Sequence, residues 1–163
     1  MNAPLPRNLH FDIEGLKRAL DNPATKESAR LRLSRDQWET FAAYLQPQTL
    51  APGQILMAQG TSDRTVYFVE SGSLAVHCMD QGKRLHVAMI EPGSVVGEGA
   101  FFTYQARSAT VQAGGPCKLW ALSPLRFIEL SKRQPEMALE VAMRLGAVAS
   151  MRLAGQRLKT VLV

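Results

Sequence analysis

From Thr49 to Leu122 the chain is cut into short apolar runs by turn residues, and this rhythm limits the fold more than any other feature. Pro52-Gly53, Gly60, Gly72, Asp80-Gln81-Gly82, Pro92-Gly93 and Gly114-Gly115-Pro116 fall at the intervals of an all-β sandwich or roll. The runs between them, at 54–58, 65–70, 73–79, 85–90, 108–113 and 117–122, are strand-sized. Several alternate in period two, as in Leu85, Val87, Met89 and Leu119, Ala121, the pattern of half-buried strands.

Helical spacing brackets this stretch. Residues 11–20 read as a short helix stopped by Asn22-Pro23. Ser34 with Gln37 forms a capping box, followed by Trp38, Phe41, Ala42 and Leu45 at helical intervals, and Pro47 is predicted to end that helix. After Pro124 the helical period returns, first over 125–130, then in a long helix that Pro135 opens. The predicted class is mainly β with flanking helices: an antiparallel, jelly-roll-like β-roll (a double-stranded β-helix) with N-terminal helices and a long C-terminal helix. Within one structural domain we expect an N-terminal arm and helices at 1–46, with Pro4 and Pro6 in a loose arm. The β-roll follows at 47–134, and a C-terminal lid or dimerisation helix at 135–163.

The long helix carries Met137, Val141, Leu145, Val148, Met151, Leu158 and Leu162 near one side. At 1.5 Å per residue it reaches roughly 40 Å. A small roll cannot cover all of that stripe, so the expected partner is the same helix of a second chain, giving a homodimer. The alternative is a helix packed only on its own roll. Gly146 and Gly155 lower its intrinsic stability, which would matter in a moving element.

Length and composition exclude several classes. With 163 residues, 46% hydrophobic and 20% charged, the chain suits one globular domain and neither a disordered nor a collagen-like polymer. No apolar run approaches bilayer length, and the N-terminus lacks the layout of a secretion signal, so a cytoplasmic protein without membrane association is expected. Cys78 and Cys117 lack a metal-ligand spacing and are expected to be buried, reduced thiols. The net charge of +5 gathers late: seven Lys/Arg against three Glu from Pro124 onward. Aromatics are sparse there, and nucleic-acid surfaces usually interleave them. Trp38 and Trp120 read as core fillers. His10, His77 and His86 stand singly, with no His-x-His to hold a cupin-type metal and no Ser-His-Asp or Cys-His set. Neither catalytic nor metal-ligating residues are expected, and no cofactor.

The chemistry concentrates at 96–111. A strand ends at Gly97, where backbone can approach a ligand; Glu98 follows among apolar neighbours; Gly99 to Tyr104 can make one helical turn with free N–H groups. Nine residues after Glu98, Arg107 opens the next strand. The guanidinium and the carboxylate can pair with each other, or be held apart by a molecule offering an acceptor to one and a hydroxyl to the other. A sugar phosphate offers both.

Gly97-Glu98-Gly99-Ala100-Phe101, a spacer of five, then Arg107-Ser108-Ala109-Thr110-Val111 resembles the phosphate-binding cassette of the cyclic nucleotide-binding domain. That family includes the catabolite activator protein, protein kinase A regulatory subunits and cyclic-nucleotide-gated channels. Gly60, Val66-Tyr67-Phe68-Val69 and Gly72 are similar to a second family signature, and the resemblance runs from about Leu50 into the C-terminal helix. The resemblance implies a ligand, cAMP or cGMP, bound by Gly97, Glu98, Gly99, Ala100, Arg107 and Ser108. In it Glu98 takes the ribose 2′-hydroxyl, Arg107 the cyclic phosphate, and amides from Gly97 to Phe101 cap the phosphate. Ser108 lies beside the phosphate and base edge, which keeps cGMP open. Arg152 and Leu153 stand where the catabolite activator protein reads adenine with Thr-Ser, so Arg152 is the expected base contact. Gly99 replaces the usual Leu or Ile and is expected to loosen packing under the cassette; Phe101 is bulkier than usual.

The leading expectation is a regulatory module that signals by repositioning its C-terminal helix, with a hinge near 130–135 and an effector protein the sequence does not identify. A helix-turn-helix domain and direct DNA binding are not expected. A transcription-regulator fragment or paralogue and a cupin-like metal enzyme are the alternatives.

Overall fold

The computed structural model describes residues 11–161, with the backbone alone at 86, 87 and 157–161. The arm at 1–10, with His10, and the apolar position Leu162 lie outside the described residues, as does the side chain of Leu158.

The helices form where the local chemistry starts them. Asp12 caps α1 (Ile13–Leu20) by accepting from the Glu14 amide, and Lys17 and Arg18 sit in its last turn, where a cation suits the helix dipole. Ser34 and Gln37 close a reciprocal capping box on α2 (Arg35–Ala42), with bonds of 3.2 and 2.8 Å. The helix stops at Ala42, before Pro47. That proline lies in β1 (Gln46–Leu50), paired with Trp120 on the edge of its sheet, where a missing N–H costs no ladder bond. The strand rhythm thus begins at Gln46, earlier than the sequence indicates.

The remaining strands are β2 (Ile55–Met57), β3 (Val66–Ser71), β4 (Leu74–Asp80), β5 (Lys83–Ile90), β6 (Val95–Val96), β7 (Thr110–Ala113) and β8 (Cys117–Leu122). They make two four-stranded antiparallel sheets, in the orders β1-β8-β3-β6 and β2-β7-β4-β5. One core lies between the sheets and includes Val69, Leu74, Ile90, Val111 and Leu119. A second lies between the first sheet and the helices. There Val66, Phe68, Trp120 and Leu122 meet Leu16, Trp38 and Phe41. Strands β3 and β8 are covered on both faces, which is why Val66–Val69 and Leu119–Leu122 read as continuous apolar runs rather than alternating ones.

After β6 comes the short helix α3 (Glu98–Thr103), and after β8 come α4 (Pro124–Arg133) and α5 (Pro135–Val161). Ser123 caps α4 with Pro124 in its first turn, and Gln134, at φ −137°, separates the last two helices. Met137, Val141, Leu145 and Val148 are buried in the chain's own core, so the first part of the stripe has no partner to face, whereas Met151 further along it is exposed. The face of α5 left open is a different one. Leu139, Met143 and Leu153 are exposed, and with Gly146 and Ser150 they follow a spacing of four, three, four and three. No helix among the described residues is long and apolar enough to cross a membrane. Both cysteines are free thiols, but only Cys117 is buried; Cys78 is half-buried.

Candidate functional site

Strand β6 delivers the chain to Gly97, whose φ of +89° only glycine adopts without strain. A Cβ there would stand 2.6 Å from Arg107 Nη1 and 2.8 Å from the Thr65 carbonyl oxygen, so the missing side chain makes room for the guanidinium. Helix α3 follows and ends at Tyr104, which also has a positive φ. Arg64 fastens that end. Its Nε and Nη2 donate to the carbonyls of Ala100 and Phe101, and its guanidinium lies 3.5 Å over the Tyr104 ring. Phe101 is buried edge-on against Phe127 of α4, ring centres 5.3 Å apart, so its extra bulk joins α3 to the last helices. Gly99 is exposed, and a Cβ there would meet nothing within 4 Å.

Arg107 is 3% exposed and heavily fixed. Nη1 donates to the Gly97 carbonyl (3.0 Å), and Nη2 to the Thr65 carbonyl (2.6 Å) and to Asp63 Oδ2 (2.5 Å). Its backbone pairs with the β2–β3 loop through Gly60 and Thr61. Burial alone would raise the Asp63 pKa, but hydrogen bonds from Arg107 and Thr65, and the Arg107 charge, outweigh it and hold the carboxyl below its ordinary value. Arg107 Nε is buried without a hydrogen-bond partner. An orphaned donor on a buried cation is costly, and an anionic acceptor would relieve it.

Glu98, 9% exposed, does not pair with Arg107. Its Oε1 accepts from Arg152 Nη1 at 2.6 Å. Arg152 reaches in from α5 and also donates to Glu27 Oε2 (2.7 Å), Ser94 Oγ (3.2 Å) and the Val95 carbonyl (2.7 Å). Burial would lower the Arg152 pKa; the Glu98 charge and the bonds to Glu27 and Glu98 overcome this and keep it above its ordinary value, so the group is a permanent cation. The expected base contact is thus spent on two carboxylates in this structure, and the direct Glu98–Arg107 pair, one of two arrangements open from sequence, is absent.

A cavity of about 390 Å³, within the range of small-molecule sites, brings together all seven residues named from the sequence: Gly97, Glu98, Gly99, Ala100, Arg107, Ser108 and Arg152. Its floor is one cross-strand row of the second sheet, Met57–Val111–Val76–Ala88, with no hydrogen-bonding side chain. Met151, Gly155 and Gln156 of α5 close over it. The site has a polar end with a buried cation, an acidic residue facing a second cation, and an apolar bed. Among the described residues no three His, Cys, Asp or Glu gather as metal ligands. Sequence reasoning missed Asp63, Glu27 and Ser94. Asp63 carries the one local signal, an Asp-x-Thr turn in which its carboxylate accepts from Thr65.

The model of the cyclic nucleotide-binding domain family matches residues 47–134. The chain is 39% identical over 83 residues to the acetyltransferase Pat of Mycolicibacterium smegmatis, covering 50% of this chain and 25% of that enzyme. It is 34% identical over 100 residues to the cAMP-activated global transcriptional regulator CRP of Escherichia coli, covering 60% of this chain and 46% of the regulator. The chain therefore spans less than half the length of either relative. Among solved structures, the Thermus thermophilus catabolite activator protein superposes with a TM-score of 0.71 at 26% identity, covering 80% of this chain and 60% of that one.

Proposed function

The chain belongs to the cyclic nucleotide-binding domain family, and from that premise we propose that it is a regulatory module, not an enzyme, that binds cAMP in the cavity between the cassette and α5. The observation that carries this reading is the buried Arg107 with its unpartnered Nε in the cavity wall. A cyclic phosphate brings the acceptor that this donor lacks, and the amides from Gly97 to Ala100 take its remaining oxygens, that of Phe101 being spent on the Gly97 carbonyl. Glu98 accepts from the ribose 2′-hydroxyl, and the apolar row lies under the sugar and base. The cAMP-activated relative supports the choice of base; Ser108, exposed at the cavity, is the group that would serve cGMP.

The output is a shift of α5. A ligand bearing on α3 presses Phe101 against Phe127, and Gln134 is the break about which the last helix turns. A ligand signals only through states it binds differently, so closure of Met151 and Gln156 over the base is the differential contact. The open α5 face of Leu139, Met143 and Leu153 supports a homodimer through that helix, with an effector protein as recipient. The two free thiols suit a cytoplasmic setting.

Titration calorimetry with cAMP and cGMP on the wild type, Arg107→Ala and Glu98→Ala tests the site. Each substitution is expected to weaken binding by about 2–5 kcal/mol, the usual loss when a buried polar partner is stranded. Unchanged affinity in both variants would remove these residues from the site.

A further inference from the structure

Four segments meet at Arg152. Its Nε goes to Glu27 of the α1–α2 connection, Nη1 to Glu98 of the cassette, and Nη2 to Ser94 and Val95 at the entry to β6. Ser94, 2% exposed, closes a ring by donating its own hydroxyl to the Glu27 carbonyl at 2.6 Å. The stretch carrying Glu27 is stapled to the turn before β6: Thr25 Oγ1 donates to the Pro92 carbonyl, and the Ala29 amide to the Gly93 carbonyl. Glu27 is therefore held in register with the cassette from outside it, and it lines the cavity.

A guanidinium facing one carboxylate tends to engage both of its oxygens in a forked pair. Here the two forked edges are divided. Glu27 takes Nε of the Nε/Nη2 edge, Ser94 and Val95 take Nη2, and Glu98 meets Arg152 through Nη1 alone, at one oxygen. We propose that Glu27 is a positioning residue for the cavity: by holding Nε it keeps Arg152 from turning its Nε/Nη2 edge onto both oxygens of Glu98, so that one remains to accept a ligand hydroxyl. Glu27 thereby sets how strongly the site prefers a sugar that carries that hydroxyl. The cavity is open with Arg152 seated, and in this proposal the ligand joins the ring rather than displacing it. This role rests on the reading of the cavity as a cyclic nucleotide site.

The test is calorimetry with cAMP and 2′-deoxy-cAMP on four full-length proteins: wild type, Glu27→Gln, Arg152→Ala and the double variant. In Glu27→Gln the affinity for cAMP is expected to fall about fivefold, roughly seven-tenths of the free energy of a tenfold change. That for the deoxy analogue should stay within about twofold, because the analogue makes no use of Glu98. In the Arg152→Ala background the Glu27 substitution should change neither, since the residue acts only through that guanidinium. Equal losses for both probes, or the same loss without Arg152, would overturn the role in favour of a merely structural one. If the wild type binds both probes and Glu27→Gln leaves their ratio intact, Glu27 alone loses its assignment. If the wild type binds neither, the reading of the cavity falls first and this role with it.

Discussion

The two arginines of the cavity are held in opposite ways. Arg107, expected to open a strand, sits instead three residues before β7 and is fixed largely by backbone: two carbonyls take its donors, and its single carboxylate, Asp63, is half-exposed and comes from a neighbouring loop. Arg152 hangs from a helix and is fixed largely by side chains drawn from regions 54 and 125 residues away. The backbone partners, Gly97 and Thr65, adjoin β6 and β3 and cannot be withdrawn without disturbing the ends of those strands, whereas side-chain partners can be redistributed. On the proposed function, the difference suits Arg107 to the permanent task, holding an anion, and Arg152 to the adjustable one, relating α5 to the cassette.

The sharpest way to break that contrast is to remove each cation and measure stability by denaturant unfolding. Arg107→Ala strands two half-buried carbonyls and empties the space beneath Gly97, and is expected to cost about 3–5 kcal/mol. Arg152→Ala frees carboxylates that border the cavity and can take water, for about 1–2 kcal/mol. Equal costs would erase the distinction. Gly97→Ala should cost about 1–3 kcal/mol from the left-handed backbone alone. It should also weaken nucleotide binding, since its Cβ would press on Nη1; loss of stability with binding intact would separate the glycine from the guanidinium.

The smallest effect is in pH. Asp63 has its folded pKa lowered from 3.8, so its pairing stabilises the fold fully above the unfolded value and is lost as pH falls through the lower, folded one. Asp63→Asn should flatten the acid side of the stability curve below about pH 4 and leave neutral pH behaviour nearly unchanged. An identical acid limb in the variant would show the carboxylate idle.

Much of this was legible because it is local. The Ser34–Gln37 box, the turns that cut the roll, and the Gly97–Glu98 and Arg107–Ser108 spacing are set by neighbours within a few residues. The partners of those groups were not. Glu27 and Ser94 reach Arg152 only after the N-terminal stretch has been laid against the Pro92–Gly93 turn, and no periodicity encodes that docking. The α5 stripe is legible, but how much of it the chain covers is not, because the helical core over Val141 and Leu145 is built from α1, α2 and α4 jointly. Pro47 misled in the same way: a helix breaker by rule, it is an edge-strand residue by position.

The most direct measurement follows the Nε–H of Arg107 by nitrogen-correlated NMR during titration with cAMP, its signal assigned by loss in Arg107→Lys. A donor that gains a phosphate oxygen should move strongly downfield in proportion to occupancy and become protected from exchange with water. A signal that stays in place while cAMP saturates the protein would mean that the phosphate is held elsewhere, and the assignment of this buried cation as the anion's seat would be wrong.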